Sequence, residues 1–213
     1  MEFTRTLAAF AAVTLLPLAA CSQSTTTGDG SPSASPTGRG SDGCVTQYDA
    51  NADYFPDKAS FTQAAGVTVE YHGSYKTVTV KEPVQGASPE TYVLVQCGAS
   101  PELPAELASA QRISIPVHRA ATSSTTQLPA FELLNVTDSL AAVESPAMVW
   151  SDPIVKRIAE GKITGFGNES GGMNVETVAA ATPDVFFSSG TPDPAYDKIR
   201  ELGIPVVGNA EWL

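Results

Sequence analysis

The stretch from Val175 to Val207, VETVAAATPDVFFSSGTPDPAYDKIRELGIPVV, decides the fold class of this chain. It predicts a helix over residues 175–181, a buried strand over 184–187, a second helix over 195–202 and a second strand over 204–207. Single helices that alternate with single strands are typical of an α/β fold with a parallel sheet.

The same alternation runs upstream of this stretch, and capping residues support the helices. Asn174 is a suitable N-cap for the first of the two helices above, and Gly203 ends the second. Asp152 is the predicted N-cap of an earlier helix, with Pro153 at its first position. The upstream elements are, in order, a strand at residues 112–117, a helix at 128–134, a strand at 140–143, a helix at 153–160 and a strand at 163–166. One α/β domain is therefore predicted over residues 105–213.

Residues 44–104 have a different pattern, in which apolar and polar residues alternate. The alternation predicts strands at residues 66–71 and 75–80, joined by a short turn at residues 72–74, and therefore a β-hairpin. Residues 91–96 predict a third strand that is more buried. A β-rich extension is thus expected ahead of the α/β domain.

The amino terminus has the layout of a secretory signal. Arg5 precedes an apolar run over residues 7–20, which is too short to span about 30 Å of hydrocarbon as a stable anchor. The run ends in Leu18-Ala19-Ala20-Cys21, which resembles a bacterial lipobox. Residues 1–20 are therefore predicted to be a lipoprotein signal peptide, with lipid on Cys21 holding an extracytoplasmic protein to the cell membrane. The alternative is an ordinary signal peptide with a chance cysteine.

Two features follow from this prediction. Residues 21–43 are rich in Ser, Thr, Gly and Pro, so they are expected to be a flexible tether. Cys44 and Cys97 are then the two cysteines left in an oxidising compartment, which favours a disulfide between them. Such a bond would stabilise the fold by roughly 4 kcal/mol, because it restricts the unfolded chain. A zinc site is the competing interpretation, but it needs more ligands at short spacing, and only His72 and His118 exist.

The charge of the chain limits its partners. The formal net charge is −11 at pH 7, which argues against binding to nucleic acid or, through charge, to anionic lipid headgroups. The membrane is therefore expected to be a partner only through the lipid anchor.

The sequence lacks the motifs of common enzymes. It has no Gly-x-Ser-x-Gly elbow, no phosphate-binding loop, no complete dinucleotide fingerprint and no paired carboxylates, so neither catalysis nor a cofactor is expected. One alternative is a secreted hydrolase in which His118 serves Ser123 or Ser124 as a base. A polar histidine at the end of a strand is the simpler interpretation.

Polar residues follow the predicted parallel strands at their carboxyl ends, where open α/β sheets bind ligands. Most are hydroxyl residues, which also cap helices and form turns, so their shared placement carries more weight than any one of them. The predicted ligand-binding residues are Ser123, Ser124, Thr125, Glu144, Ser145, Ser188, Ser189 and Gly190.

Several segments together resemble a known family. They are residues 112–117, Gly171-Gly172-Met173-Asn174-Val175-Glu176, Thr182-Pro183-Asp184-Val185-Phe186-Phe187 and Leu202-Gly203-Ile204-Pro205-Val206. The combination resembles the amino-terminal lobe of solute-binding lipoproteins that serve ABC importers for iron-siderophores, haem or cobalamin. That resemblance implies a Rossmann-like lobe of a helical-backbone solute-binding protein.

The resemblance also implies a function. A protein of this family binds a metal chelate or a corrinoid and delivers it to an ABC permease, which works with an ATPase. One glutamate in each lobe docks onto the permease, and the matching position in this chain is Glu176.

The chain departs from the family pattern in its length. Trp212-Leu213 falls where the helix that connects the two lobes is expected to start, so the resemblance covers the amino-terminal lobe only. Without a second lobe to enclose the solute, weak affinity is expected from this chain alone. The alternative function is that of a non-transport envelope lipoprotein, which acts as an interaction module through its hairpin region.

Overall fold

The computed structural model describes residues 38–168 and 171–209, which form two β-sheets with short helices packed around the second. The predicted signal peptide, Cys21, most of the predicted tether and Trp212 lie outside the described residues. None of the helices in the described ranges is long and apolar enough to cross a membrane.

The first sheet has four strands in the order β1-β2-β3-β4. The strands β1, β2 and β3 are antiparallel, and β4 lies parallel to β3. His72 pairs with Tyr75, so Gly73 and Ser74 form the predicted hairpin turn, in which Gly73 has a φ of +69°. The bounds are Val67–His72 for β1, Tyr75–Val80 for β2, Glu90–Gln96 for β3 and Gln111–Ile115 for β4.

The second sheet has five parallel strands in the order β7-β6-β5-β8-β9. The chain runs from the central strand β5 to one edge and then crosses to β8, which is the strand order of a doubly wound fold. The predicted α/β class with a Rossmann-like parallel sheet is therefore confirmed. The strands are β5 (Ala120–Thr122), β6 (Leu140–Val143), β7 (Thr164–Gly165), β8 (Val185–Phe187) and β9 (Val206–Val207).

Four α-helices connect these strands. Two large apolar clusters form the core around them, one including Phe131, Leu140 and Ile154 and the other including Phe186 and Ile199. A smaller third cluster includes Tyr54. The helices are α1 (Leu128–Leu133), α2 (Asp152–Ala159), α3 (Val175–Ala180) and α4 (Ala195–Glu201).

The assignment of residues 112–117 to the parallel sheet is wrong. Gln111–Ile115 pairs with β3 in the first sheet, and the first strand of the parallel sheet is Ala120–Thr122. Within β4 only Ile113 is fully buried, which suits a strand with one solvated face, whereas every residue of β5 is buried, as in a central parallel strand. Two alanines and a threonine carry too weak an apolar signal to predict such a strand.

The N-cap of α3 is the residue predicted from the sequence, whereas the N-cap of α2 is not. The Asn174 side chain accepts a hydrogen bond from the backbone N–H of Thr177 at 3.0 Å, as an N-cap should. In α2 the N-cap position belongs to Ser151 rather than Asp152, and Pro153 lies in the first turn. Asp152 is therefore the first helical residue, where its carboxylate still favours the positive end of the helix dipole.

A disulfide joins Cys44 to Cys97, the pair that the cysteine count predicts, with a Cα–Cα distance of 4.7 Å. It ties the start of the described chain to the end of β3. Next to it, the backbone N–H of Val45 donates to the Cys97 carbonyl at 2.8 Å. A Cβ added at Gly98 would lie 2.0 Å from the Val45 carbonyl oxygen, so only glycine allows this approach.

The two sheets are joined by side chains of the first sheet that bind the backbone of β9. Gln111 accepts a hydrogen bond from the Val206 N–H at 2.7 Å and donates one to the Val206 carbonyl at 3.0 Å. The buried Tyr92 hydroxyl donates to Glu90 at 2.7 Å and accepts from the Gly208 N–H at 2.8 Å. Gln111 thereby acts like a strand residue that pairs with the edge strand β9.

We expect Gly98→Ala to destabilise the fold far more than Gly203→Ala. Both glycines have a φ of +80°, but no atom lies within 4 Å of the Cβ position at Gly203. Gly203→Ala should therefore show only the cost of a left-handed backbone, about 1–2 kcal/mol. Gly98→Ala adds a clash with backbone and should cost at least about 2 kcal/mol more in urea unfolding. Equal losses in the two variants would contradict the close packing at Val45.

We expect Gln111→Ala to lower the free energy of unfolding by roughly 1–3 kcal/mol for each polar group left unpaired. The groups at risk are the N–H and carbonyl of the buried residue Val206. Gln111→Glu should also destabilise, because it replaces the donor and sets a second carboxylate beside Glu90. The exposed Gln63→Ala is the control for loss of a glutamine. Urea denaturation measures all three variants.

Candidate functional site

A cavity of about 230 Å³ opens at the carboxyl ends of the neighbouring strands β5 and β6. Thr122, Leu128, Val143 and Met148 contribute to its wall. It also contains residues that the sequence predicts to bind ligand, namely Ser123, Ser124, Thr125, Glu144 and Ser145. The structure thus brings together five of the eight predicted residues in one concave site.

Backbone hydrogen bonds beyond the strand ends set the shape of this cavity. The Ser123 N–H donates to the Phe187 carbonyl at 3.0 Å, and the Glu144 N–H donates to the Thr122 carbonyl at 3.1 Å. The Glu144 carbonyl in turn accepts from the Gly167 N–H at 2.8 Å. Because these bonds continue the parallel ladder, the main chain at Ser123 is held by β8, and that at Glu144 is held on both sides, by Thr122 of β5 and by Gly167 after β7.

The loop after β5 is ordered by its own hydroxyl groups. The Ser124 hydroxyl accepts from the Thr126 N–H at 3.3 Å and caps the 3-10 turn Thr125–Gln127. The Thr122 hydroxyl accepts from the Ser124 N–H at 3.3 Å. These bonds are the local role that serine and threonine often have in turns, and they leave the Ser124 hydroxyl at the cavity wall.

Ser188, Ser189 and Gly190 are not among the residues that line this cavity. Ser188 is buried, and its hydroxyl donates to the Val207 carbonyl at 3.3 Å. The Ser189 hydroxyl lies 2.9 Å from that of Thr191, and the Gly190 carbonyl accepts from the Gln85 N–H at 3.4 Å. Each of the three groups therefore has a structural partner.

The buried side chain of Gln127 separates the two sets of predicted residues. It donates to the Ser188 carbonyl at 2.8 Å and accepts from the Thr122 hydroxyl, so it bridges the ends of β5 and β8. This is the position where the strand order reverses and where doubly wound folds usually bind ligands. Because Gln127 fills it, the open cavity lies one strand further along, between β5 and β6.

Glu144 is the only charged residue among those that line the cavity. Its carboxylate makes no hydrogen bond or ion pair with any residue in the described ranges. Burial raises the pKa of the Glu144 carboxyl, and the negative charge of Asp193 raises it further. The cavity is therefore a region of negative potential with hydroxyl groups around one partly desolvated carboxylate.

The apolar part of this site was not predicted from the sequence. Met148 lines the cavity although 60% of it is exposed, and Trp150 in the same loop is 88% exposed. Both follow β6 in the segment that contains the 3-10 turn Pro146–Met148. An apolar pair just after a strand end, ahead of the Ser151–Asp152 helix start, is the signal that could have pointed to them.

Glu176 is exposed in the first turn of α3, so a partner could reach its carboxylate. Neither histidine lines the cavity between β5 and β6. The His72 ring stacks on Tyr75 in the hairpin, with 4.7 Å between the ring centroids. The backbone N–H of His118 donates to the Asp184 carboxylate at 2.8 Å. Within residues 38–168 and 171–209, no three His, Cys, Asp or Glu side chains are grouped so that they could hold a metal ion.

A second, larger cavity of about 670 Å³ lies between the first sheet and α1. Its wall is mainly apolar and includes Val78 and Val80 of the hairpin, Phe131, Leu134 and Phe187. Leu134 is 70% exposed, so this cavity has an open apolar rim. It is separate from the hydroxyl-lined cavity, and none of its lining residues carries a charge.

The similarity of this chain to known proteins is distant. No family model and no curated protein matches the chain. Among solved structures, a periplasmic heme-binding protein from Pseudomonas aeruginosa is 15% identical, with a TM-score of 0.33. The match covers 42% of this chain and 30% of that chain.

We expect Glu144→Gln to stabilise the fold at pH 7. A folded-state pKa above the unfolded value means that stability falls as pH rises between the two values, and the full cost of the buried charge is present at neutral pH. The gain should shrink as pH falls through the folded-state pKa of Glu144 and should be lost below the ordinary glutamate pKa, where both states are protonated. Urea unfolding at pH 7 and pH 4 measures it, with the exposed Glu102→Gln as control. A loss of stability at pH 7 would show that the carboxylate has a partner.

Proposed function

We propose that this protein binds a small solute at the cavity between β5 and β6 and delivers it to an ABC importer. The solute class that the sequence motifs favour is an iron-siderophore, haem or a cobalamin-type corrinoid. In this proposal the protein is a non-catalytic, extracytoplasmic lipoprotein, held to the cell membrane through lipid on Cys21. Glu176 docks onto the permease.

The observation that carries the proposal is the cavity itself. It lies at the carboxyl ends of parallel strands, where α/β sheets place small ligands, and hydroxyl groups and one carboxylate converge on it. At about 230 Å³ it is smaller than the 300–1,000 Å³ of a typical whole-ligand pocket. It therefore suits contact with one face or one arm of a solute.

We infer binding rather than hydrolysis by a serine–histidine pair, because no histidine is among the residues that line the cavity. None of the lining residues is a histidine or a lysine, although five of them have hydroxyl groups: Thr122, Ser123, Ser124, Thr125 and Ser145. A serine nucleophile needs an adjacent base to be activated. A direct test of the hydrolase alternative is labelling by an active-site phosphonate, which should leave Ser123 and Ser124 unmodified.

We expect Glu176→Ala to abolish or strongly reduce solute uptake without changing solute binding. Glu176 is exposed on α3 and is not among the residues that line the cavity, so its removal should affect only the contact with permease arginines. Uptake of radiolabelled ferric chelate by cells that carry the complete system measures the first effect, and titration of the purified variant measures the second. The exposed Glu201→Ala on α4 is the matched control. Unchanged uptake in Glu176→Ala would make the docking role wrong.

The second cavity favours one alternative, an envelope interaction module that works through the hairpin. Val67, Val78 and Val80 of the hairpin form part of its apolar wall. If this is the function, Val67→Asp should impair envelope integrity and leave uptake unchanged. If transport is the function, uptake should depend on Glu144 and Glu176 instead.

A further inference from the structure

We propose that Glu144 is a specificity residue that pairs with a cationic group on one arm of the solute. This inference rests on the proposed function and adds the chemical class of the solute group that enters the cavity. A solute that presents a carboxylate or another anion to the same position is then excluded.

The first support is the unpaired state of Glu144. Some acidic side chains in the described ranges have a cationic partner, as Asp53 has in Lys58 at 2.5 Å and Glu160 in Lys162 at 2.8 Å, and many of the others are exposed to solvent. The Glu144 carboxylate, although it faces a cavity and is half-buried, makes no such pair with any described residue. A partly desolvated charge gains most when a ligand supplies the missing partner.

The second support is the sign of the surrounding charge. None of the nine residues in the cavity wall is a lysine, arginine or histidine that could meet an anion. Asp193 acts on Glu144 with charge of the same sign. An anionic arm would therefore meet repulsion without any compensating cation, whereas an ammonium group would meet attraction from both carboxylates.

The third support is the fixed position of Glu144. Its N–H and carbonyl are bonded to Thr122 and Gly167, and a Cβ at Gly167 would lie 2.7 Å from the Glu144 carbonyl oxygen. The main chain is therefore clamped from both sides, which lowers the entropy that a salt bridge to the solute would cost. Met148 and Leu128 supply apolar wall for the methylene chain of an aminoalkyl arm.

The test uses three gallium(III) trihydroxamate complexes that differ only at the end of one alkyl arm. The arm carries a free amine, an N-acetyl group or an N-succinyl group, so its charge is positive, zero or negative. Backbone amide NMR of the purified protein follows Ser123, Ser124 and Ser145, which line the cavity, and gives a dissociation constant for each complex.

The inference predicts that the aminated complex binds about tenfold more tightly than the acetylated one, and the succinylated complex most weakly. Glu144→Gln should reduce the preference for the amine to less than about twofold. Because the net charge of −11 attracts any cation, the exposed Glu102→Gln is the matched control and should keep the full preference.

Two results would overturn the inference in distinguishable ways. Equal affinity for the three complexes, or a preference that persists in Glu144→Gln, would remove the role of Glu144 and leave solute binding intact. If none of the complexes binds and the three serine amides do not shift, the inference is wrong. Trihydroxamate chelates are then also excluded as solutes of the proposed function.

Discussion

The hydrogen bonds from Gln111 and Tyr92 to β9 are the constraint on which the rest of the structure depends. A two-residue edge strand has few bonds of its own, and β9 pairs with β8 on one side only. Gln111 supplies the missing pairing on its other side. Because β9 supports β8, and β8 supports β5, this link also holds the strand ends that form the hydroxyl-lined cavity.

The same link explains why the hairpin-containing sheet cannot be regarded as a separate appendage. Tyr92 lies on β3 of that sheet, yet its hydroxyl accepts from the Gly208 N–H just after β9, and burial raises its pKa. The disulfide then ties the start of the described chain to the end of β3. The disulfide, the first sheet and the Tyr92 hydrogen bond therefore connect Cys44 to the edge of the second sheet.

Much of the fold was predictable because its signals are local. The alternating pattern at β1 and β2, the Asn174 cap and the apolar strand at Val185–Phe187 each need only a few neighbouring residues. The strand Ala120–Thr122 escaped prediction because small residues acquire their burial from the strands on both sides. The pairing of Gln111 with Val206 spans 95 residues, so no local pattern could indicate it.

The candidate site shows the same division between local and non-local information. The rule that ligands bind at strand ends placed Glu144 at this edge, because it follows the predicted strand over residues 140–143. Ser123 lies at the same edge, but it follows Ala120–Thr122, a strand that was not predicted. The rule could not reveal that Gln127 bridges to Ser188 and fills the position where the strand order reverses. That single side chain moves the open cavity to the β5–β6 side, where Glu144 becomes its only charge. The buried amide of Gln127 therefore determines the chemistry of the site. Because it occupies the space between β5 and β8, a solute can reach the polar loops after β5 and β6 but not the loop after β8.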